Sequence, residues 1–237
     1  MTLTLHYLLK WITARTRIQG RIAGRTLYLD DSGIMDSPML YLTGEKTTLF
    51  TQAEKRTLRR YLVEKGGFIF AQHNHNHGPP SYRGFANSMR AQFREIILSA
   101  GGQEIQPIPQ NHPIWQQPFP LGGQPRCVST GAGADHSTVT YPMVAFELDG
   151  RLSVVISYND YDNGWKLPGT RQPGSDPTYI PSALRMGVNF IFYAGTHGKI
   201  SDYKHYVPQE RWRDEDILLP RRIPQSAYTL APDFEKE

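Results

Sequence analysis

The hydrophobic and polar positions of the chain follow two periods, one typical of helices and one typical of strands. Helical spacing of apolar residues predicts helices over 3–16, from Thr51 to the glycines at 66 and 67, around 89–97, and over 182–193. Thr51 and Glu54 have the spacing of a capping box, which places the start of the second helix. Short apolar runs predict strands at 27–29, 39–43, 68–71 and 104–108.

The order of these elements predicts the fold class. Strand, helix, strand, helix and strand in succession are typical of a parallel sheet with helical crossovers. Farther along, an Asp-Gly pair separates two apolar runs, 144–148 and 151–158, in the pattern of a β-hairpin. We therefore expect one α/β domain over residues 1–237, with a mostly parallel sheet, a β-hairpin addition and a charged tail over 196–237 that wraps the surface.

Composition places the chain among globular proteins and narrows its partners. Hydrophobic residues make up 39% of the chain and charged residues 20%, which argues against a disordered chain. The net charge of +4 is spread along the sequence without a basic stripe, so nucleic acid is not an expected partner. No apolar run is long enough for a membrane span. The first 17 residues resemble an amphipathic helix more than a signal peptide, which predicts a cytoplasmic location, or a periplasmic one if the N-terminus is trimmed.

Three polar segments each follow a predicted strand, and we expect them to meet at the carboxyl edge of the sheet, where open α/β sheets bind ligands. They begin at Gly44, Gln72 and Asn159. The candidate acids, bases or catalytic ligands in these segments are Glu45, Asp160 and Asp162. The candidate ligand-binding residues are Gly44, Gln72, Asn74, Asn159 and Trp165. A turn-forming role stays open for the two aspartates, as does a packing role for Trp165.

The densest chemical signal is a run of three alternating histidines, His73, His75 and His77. If the segment stays extended, these three positions share one face. Neutral imidazole is a good ligand for zinc, copper and iron, and three imidazoles with an open fourth position would form a catalytic zinc site. Glu45 or Asp160 would then act as the base. A solvated loop rich in His and Asn is the alternative interpretation.

Longer blocks of the sequence resemble one bacterial family, the domain of unknown function family numbered four-one-five-nine. The blocks keep the family's order over most of residues 30–194, and they are PMLYLTG, TLRRYLVEKGGFIFA, MRAQF, PIPQNHPIW, DGRLSVVISYNDYDNGW and ALRMGVNFIFYA. The family is similar to class I glutamine amidotransferase-like domains, including the ThuA-like branch. The resemblance implies a flavodoxin-like three-layer sandwich and no particular reaction.

The chain departs from this resemblance at the site itself. Amidotransferase-like enzymes carry a nucleophilic cysteine after a central strand, whereas this chain has Gln72, His73 and Asn74 there, so the amidotransferase reaction is not expected. Family members often have Thr-Gly-His where this chain has Thr-Gly-Glu45, and an acidic pair where it has Gln72 and His73. Cys127, the one cysteine, lies in a segment rich in Pro and Gly and is expected to be an inert thiol.

Two functions stay open from the sequence. The first is small-molecule binding on an amidotransferase-like scaffold without its cysteine, and the second is metal-dependent hydrolysis with zinc or another divalent transition metal at the histidine cluster. The apolar face of the first helix, with Leu5, Leu9 and Ile12, is expected to cover the sheet. The family usually has a further strand before this helix, and its loss would leave a sheet edge for a homo-oligomer.

Overall fold

The structure of the protein is a computed structural model, and it describes residues 2–15, 27–74, 80–127, 140–166 and 177–199. The helices in these ranges are α1 (Thr2–Arg15), α2 (Gln52–Val63), α3 (Gly84–Leu98) and α4 (Ile180–His197). The strands are β1 (Met39–Gly44), β2 (Phe68–His73), β3 (Gln103–Ile105), β4 (Val144–Leu148) and β5 (Arg151–Ser157). Each predicted helix is therefore present, with ends shifted by a few residues.

The five strands form one open sheet in the order β1-β2-β5-β4-β3. The pairs β1–β2 and β2–β5 are parallel, whereas β5–β4 and β4–β3 are antiparallel. Only β4 therefore runs against the other four strands. This mixed α/β architecture with a mostly parallel sheet confirms the predicted fold class.

The β4–β5 hairpin is built into the middle of the sheet rather than added to it. β5 pairs with β2, with Ile69 opposite Val154 and Gln72 opposite Ser157. The third strand of the expected strand–helix succession, β3, lies instead at the far edge, beside β4. Burial explains this order: every residue of β5 is buried, which suits a central strand, while β3 has three residues and begins with the exposed Gln103.

The helices cover both faces of the sheet. Alternate residues of β2 point to opposite sides, with Ile69 and Ala71 packed against α2 and α3, and Phe68 and Phe70 packed against α1 and α4. On α1, Leu8, Trp11 and Ile12 are buried, with Leu5 and Leu9 partly buried beside them. This burial confirms that the apolar face of the first helix covers the sheet.

Local hydrogen bonds define the start of α2. The Thr51 hydroxyl accepts a hydrogen bond from the Glu54 amide at 3.2 Å, and the Glu54 carboxylate accepts one from the Thr51 amide at 2.7 Å. This reciprocal pair confirms the predicted capping box. At the other end, Gly66 has a φ of +64°, and a Cβ at Gly67 would overlap the Tyr61 ring. Glycine therefore permits the tight return of the chain into β2.

Two predictions near the termini have different outcomes. The strand predicted at 27–29 is wrong, because the Asp31 amide donates to the Tyr28 carbonyl at 3.0 Å and closes a turn there, which leads into the short 3-10 helix Ser32–Asp36. Of the predicted tail, residues 196 and 197 belong to α4, and residues 200–237 lie outside the described residues. Among the described helices, none combines the length and the apolar character that crossing a bilayer requires.

Candidate functional site

The helices that follow the neighbouring strands β2 and β5 lie on opposite faces of the sheet. The chain leaving β2 leads to α3 on one face, and the chain leaving β5 leads to α4 on the other. Gln72 and Ser157 are paired at this point, near the carboxyl ends of their strands. Because the following segments diverge there, this is the topological switch point at which open α/β sheets bind ligands.

A largely buried hydrogen-bond network joins three segments at this switch point. The Tyr41 hydroxyl of β1 donates to Asp162 Oδ2 at 2.9 Å and accepts from Gln72 Nε2 of β2 at 3.2 Å. Gln72 Oε1 in turn accepts the amide of Tyr161 at 2.9 Å. Gln72 is completely buried and Asp162 nearly so. The structure therefore brings together Gln72 and Asp162, two of the residues that the sequence predicted at this edge, and Tyr41 connects them.

Asp162 begins a short 3-10 helix, Asp162–Trp165, and faces a cation on one side. Its Oδ1 lies 3.7 Å from Lys166 Nζ, and no hydrogen bond to that oxygen is present among the described residues. The Lys166 side chain is 23% exposed, so it reaches toward the surface. The Asp162 carboxylate therefore accepts one hydrogen bond from Tyr41 in the interior and makes one longer ionic contact with Lys166 toward the surface.

Burial keeps the phenols of the site protonated. The pKa of Tyr41 is raised because the ring is buried, and the negative charge of Asp162 raises it further. Burial likewise raises the pKa of Tyr161, with a second contribution from Cys127. Tyr41 is therefore a neutral hydrogen-bond donor to Asp162 throughout the physiological pH range.

A second group of buried polar residues adjoins the network. Asp160 is fully buried, and its backbone carbonyl accepts a hydrogen bond from the Cys127 thiol at 3.3 Å. Arg83, at the start of α3, is also buried and lies 4.7 Å from the centroid of the Tyr141 ring. Burial lowers the pKa of Arg83, and Tyr141, Cys127 and Asp160 oppose that change. A buried cation, a carboxylate and a thiol thus share this edge of the sheet.

Two of the predicted ligand-binding residues hold the loops of the site together. Asn159 clamps the backbone of Tyr141: its Oδ1 accepts the amide at 2.9 Å and its Nδ2 donates to the carbonyl at 2.7 Å. Trp165 donates its indole N–H to the Ala183 carbonyl at 2.8 Å, and its ring centroid lies 5.6 Å from that of Tyr41. Both side chains are fully buried, and their polar atoms bond to backbone groups of neighbouring segments.

The remaining predicted residues, at the ends of β1 and β2 or directly after them, form the rim. The Asn74 amide donates to the Gly44 carbonyl at 2.9 Å, and the Thr43 hydroxyl donates to Asn74 Oδ1 at 2.6 Å. Glu45 is exposed, and its carbonyl accepts the Phe85 amide at 3.4 Å at the start of α3. The structure therefore places Gly44 and Asn74 beside each other, whereas Glu45, predicted as a candidate base, lies exposed at the outer edge.

The histidine cluster is only partly described. His73, the last residue of β2, is buried, whereas His75 and His77 lie outside the described residues. Within the described ranges, no group of three or more His, Cys, Asp or Glu side chains is placed to hold a metal ion. The three-histidine metal site stays a prediction.

Sequence reasoning missed Tyr41 and Arg83. Tyr41 occurs within an apolar run that predicts a buried strand, and Arg83 follows a polar loop without periodicity. The one available signal for Tyr41 was its hydroxyl, since a buried phenol requires a hydrogen-bond partner.

Two comparisons with known proteins accompany this geometry. The sequence model of a protein family described as Domain of unknown function (DUF4159) matches residues 2–194, which run from α1 into the last turns of α4. A search of curated proteins found no match to the chain.

Proposed function

The chain belongs to the family described as Domain of unknown function (DUF4159), and from that premise we propose that it binds a small polar molecule at the carboxyl edge of its sheet. The observation that carries this proposal is the largely buried network of Tyr41, Gln72 and Asp162 at the topological switch point. Burying a carboxylate and an amide costs free energy unless they are hydrogen-bonded. Hydrogen-bonded polar groups at a position suited to ligand binding favour a role in recognising a ligand over a role in packing alone.

The scaffold proposed is that of the glutamine amidotransferase-like domains, a flavodoxin-like three-layer sandwich. Helices on both faces of the sheet support this assignment. In such enzymes the nucleophilic cysteine follows a central strand, and here β2 continues into Gln72, His73 and Asn74. The proposed activity is therefore ligand binding without acyl transfer to a cysteine at that position.

The chemistry of the site favours a ligand with hydroxyl or amine donors. No described residue donates a hydrogen bond to Asp162 Oδ1, and Lys166 Nζ lies 3.7 Å from it. Lys166 lies toward the surface and is the group that an incoming donor would displace. A hydroxyl or ammonium group of the ligand would then take the place of the lysine contact on the carboxylate.

A thermal-shift screen tests this proposal, with a panel of neutral sugars, amino sugars, amino acids and polyamines as probes. A ligand at 100 times its Kd stabilises the folded state by about 2.7 kcal/mol, which is a measurable rise in Tm. We expect at least one class to raise the Tm of the wild type and of the Asp149→Asn control, whose change lies in the exposed hairpin turn, but not that of Asp162→Asn. A panel without any stabilising compound, or equal shifts in Asp162→Asn, would contradict the proposal.

Metal-dependent hydrolysis is the second proposed function, supported by the burial of His73 at the end of β2, beside the network. Zinc would be held by His73, His75 and His77, with Glu45 or Asp160 as base. The test is elemental analysis of protein purified without a nickel column, together with the Tm change on adding zinc. Stoichiometric zinc that is lost in His73→Gln supports this function, and protein that neither contains nor responds to zinc excludes it.

A further inference from the structure

A second cluster of titratable side chains lies at the opposite end of the sheet from the candidate site. The ring of Tyr193 on α4 stacks on that of His197, with centroids 4.1 Å apart and 12° between the planes. The ring of His112 lies on the same tyrosine, with its centroid at 5.5 Å. The Tyr193 hydroxyl accepts the amide of Leu152 at 3.0 Å, which anchors the cluster at the start of β5.

His112 has a structural role that requires an unprotonated Nδ1. It caps the short 3-10 helix Pro113–Trp115, where its Nδ1 accepts the Ile114 amide at 3.2 Å. Protonation places a hydrogen on this nitrogen, directed at the amide hydrogen that it previously accepted. The cap and the positively charged form of His112 are therefore incompatible.

His197 ends α4 and lies close to the same tyrosine. Its Nδ1 lies 2.8 Å from the Thr196 hydroxyl. Thr196 in turn donates to the Phe192 carbonyl at 2.8 Å, so the histidine is connected to the last turn of the helix. Charging both imidazoles would place two cations against one tyrosine ring.

The charged groups around the cluster leave both histidines neutral at pH 7. Burial lowers the pKa of each, and His197 lowers that of His112 further. Two contacts oppose this: Glu147 on β4 raises the pKa of His112, and a hydrogen bond with the Tyr193 carbonyl raises that of His197. Arg151 on β5 acts on Tyr193 itself, whose pKa is raised by burial. Lys199, which follows α4, is exposed and adds a further positive charge.

We propose that His112, Tyr193 and His197 form a pH-sensitive clasp that holds the last turn of α4 against the Pro113–Trp115 turn at neutral pH and releases it in mild acid. Release follows from the loss of the His112 cap and from repulsion between the two imidazolium groups across the tyrosine ring. A single imidazolium on a tyrosine face is favourable, but two on one ring repel each other. The candidate site is at the other end of the sheet and is not opened by this change.

Amide hydrogen exchange at residues 192–199, compared between pH 7.5 and pH 5 and corrected for intrinsic exchange, tests the clasp. Protection should fall at least tenfold in acid in this segment, whereas protection in the middle of α2 should stay constant. The imidazole proton signals of His112 and His197 should titrate over the same pH range. If protection at 192–199 does not change, or if it changes equally in α2, the clasp is excluded.

Two matched variants separate titration from packing. Asn at position 112 can still cap the turn but cannot be protonated, and Phe at position 197 keeps a ring against Tyr193 without a charge. We expect His112→Asn/His197→Phe to keep its neutral-pH protection at pH 5. An acid response as large as that of the wild type in this double variant would overturn the proposal. If the double variant does not fold, His112→Asn alone decides, with at least a threefold smaller response expected.

Discussion

Tyr41 shows how much a single hydroxyl contributes to this site. It belongs to β1, donates to Asp162 after β5 and accepts from Gln72 on β2, so that it joins segments far apart in sequence. The ring also packs against Phe70, with centroids 5.7 Å apart. Removing the hydroxyl would leave the packing in place and deprive two buried polar groups of a partner.

The substitution Tyr41→Phe should therefore lower the free energy of unfolding by about 1–3 kcal/mol, the usual cost of buried polar groups that lose a hydrogen bond. Urea unfolding measures this change. The matched control is Tyr28→Phe, because Tyr28 is 74% exposed and its substitution should alter stability by less than about 0.5 kcal/mol. Equal effects of the two substitutions would show that the network contributes nothing.

The sequence predicted part of this site because position after a strand is a local property. Gln72, Asp160 and Asp162 were identified in this way, and the structure places all three at the carboxyl edge. Arg83 and Cys127 were not, because their approach depends on irregular segments whose path no periodic pattern records. Asn159 and Trp165 were found, but their polar atoms bond to backbone groups 18 residues away, and no local pattern predicts such tertiary contacts.

At the scale of elements, the two ends of α2 are stabilised in different ways. The start is local, since Thr51 and Glu54 bond to each other within one turn. The end depends on a distant residue: the guanidinium of Arg151 donates to the Leu62 carbonyl at 2.8 Å and to the Gly67 carbonyl at 3.1 Å. The capping box was therefore predictable from sequence, whereas the role of Arg151 was not.

Arg151→Met should lower the free energy of unfolding by about 2–3 kcal/mol, because two buried carbonyls lose hydrogen bonds from a charged donor. Guanidinium chloride unfolding provides the measurement. Arg151→Lys should retain part of the stability, since an ammonium group cannot span both carbonyls as a guanidinium does. Arg59→Met, an exposed change on α2, serves as control and should have an effect within about 0.5 kcal/mol. A loss of similar size in that control would refute the proposed role of Arg151.

The pairing of the strands is the element-scale feature that sequence reasoning predicted incorrectly. Local periodicity identified β3 and the β4–β5 hairpin, but not which of them would lie beside β2. The choice depends on burial on both faces, which β5 provides with Leu152, Val154, Val155 and Ile156, all fully buried. Such a criterion compares distant segments and cannot be applied to one segment at a time.

At the scale of the whole molecule, buried titratable groups of two kinds limit the pH range of stability. His112 and His197 have lowered pKa values in the folded state. When the pH falls below about 6.5, the unfolded chain therefore binds more protons than the folded chain does. Tyr41, Tyr61 and Tyr161 have raised pKa values, so the unfolded chain releases protons first when the pH rises above about 10. Both changes favour the unfolded state.

The free energy of unfolding should therefore be greatest between about pH 7 and pH 9 and should decline on either side. Chemical denaturation at intervals of half a pH unit from pH 5 to pH 11 would measure this profile. His112→Asn/His197→Phe should flatten the acid side and leave the alkaline side unchanged. A wild-type profile that keeps rising toward pH 5 would disprove the assignment of the acid decline to these histidines.

The position of β5 has a consequence for the order in which the chain can assemble. Arg151 lies 84 residues after Gly67, so β2 leaves the ribosome long before the strand that pairs with its inner edge. At common rates of synthesis, the unpaired N–H and C=O groups along that edge of β2 wait on the order of 10 s for their neighbour. During that interval β1 and β2 are a two-stranded ribbon with an open side, the form of nascent chain that binds chaperones or pairs with another copy. A ribosome-bound chain stopped before position 151 should accordingly be far more prone to aggregate than one extended past α4.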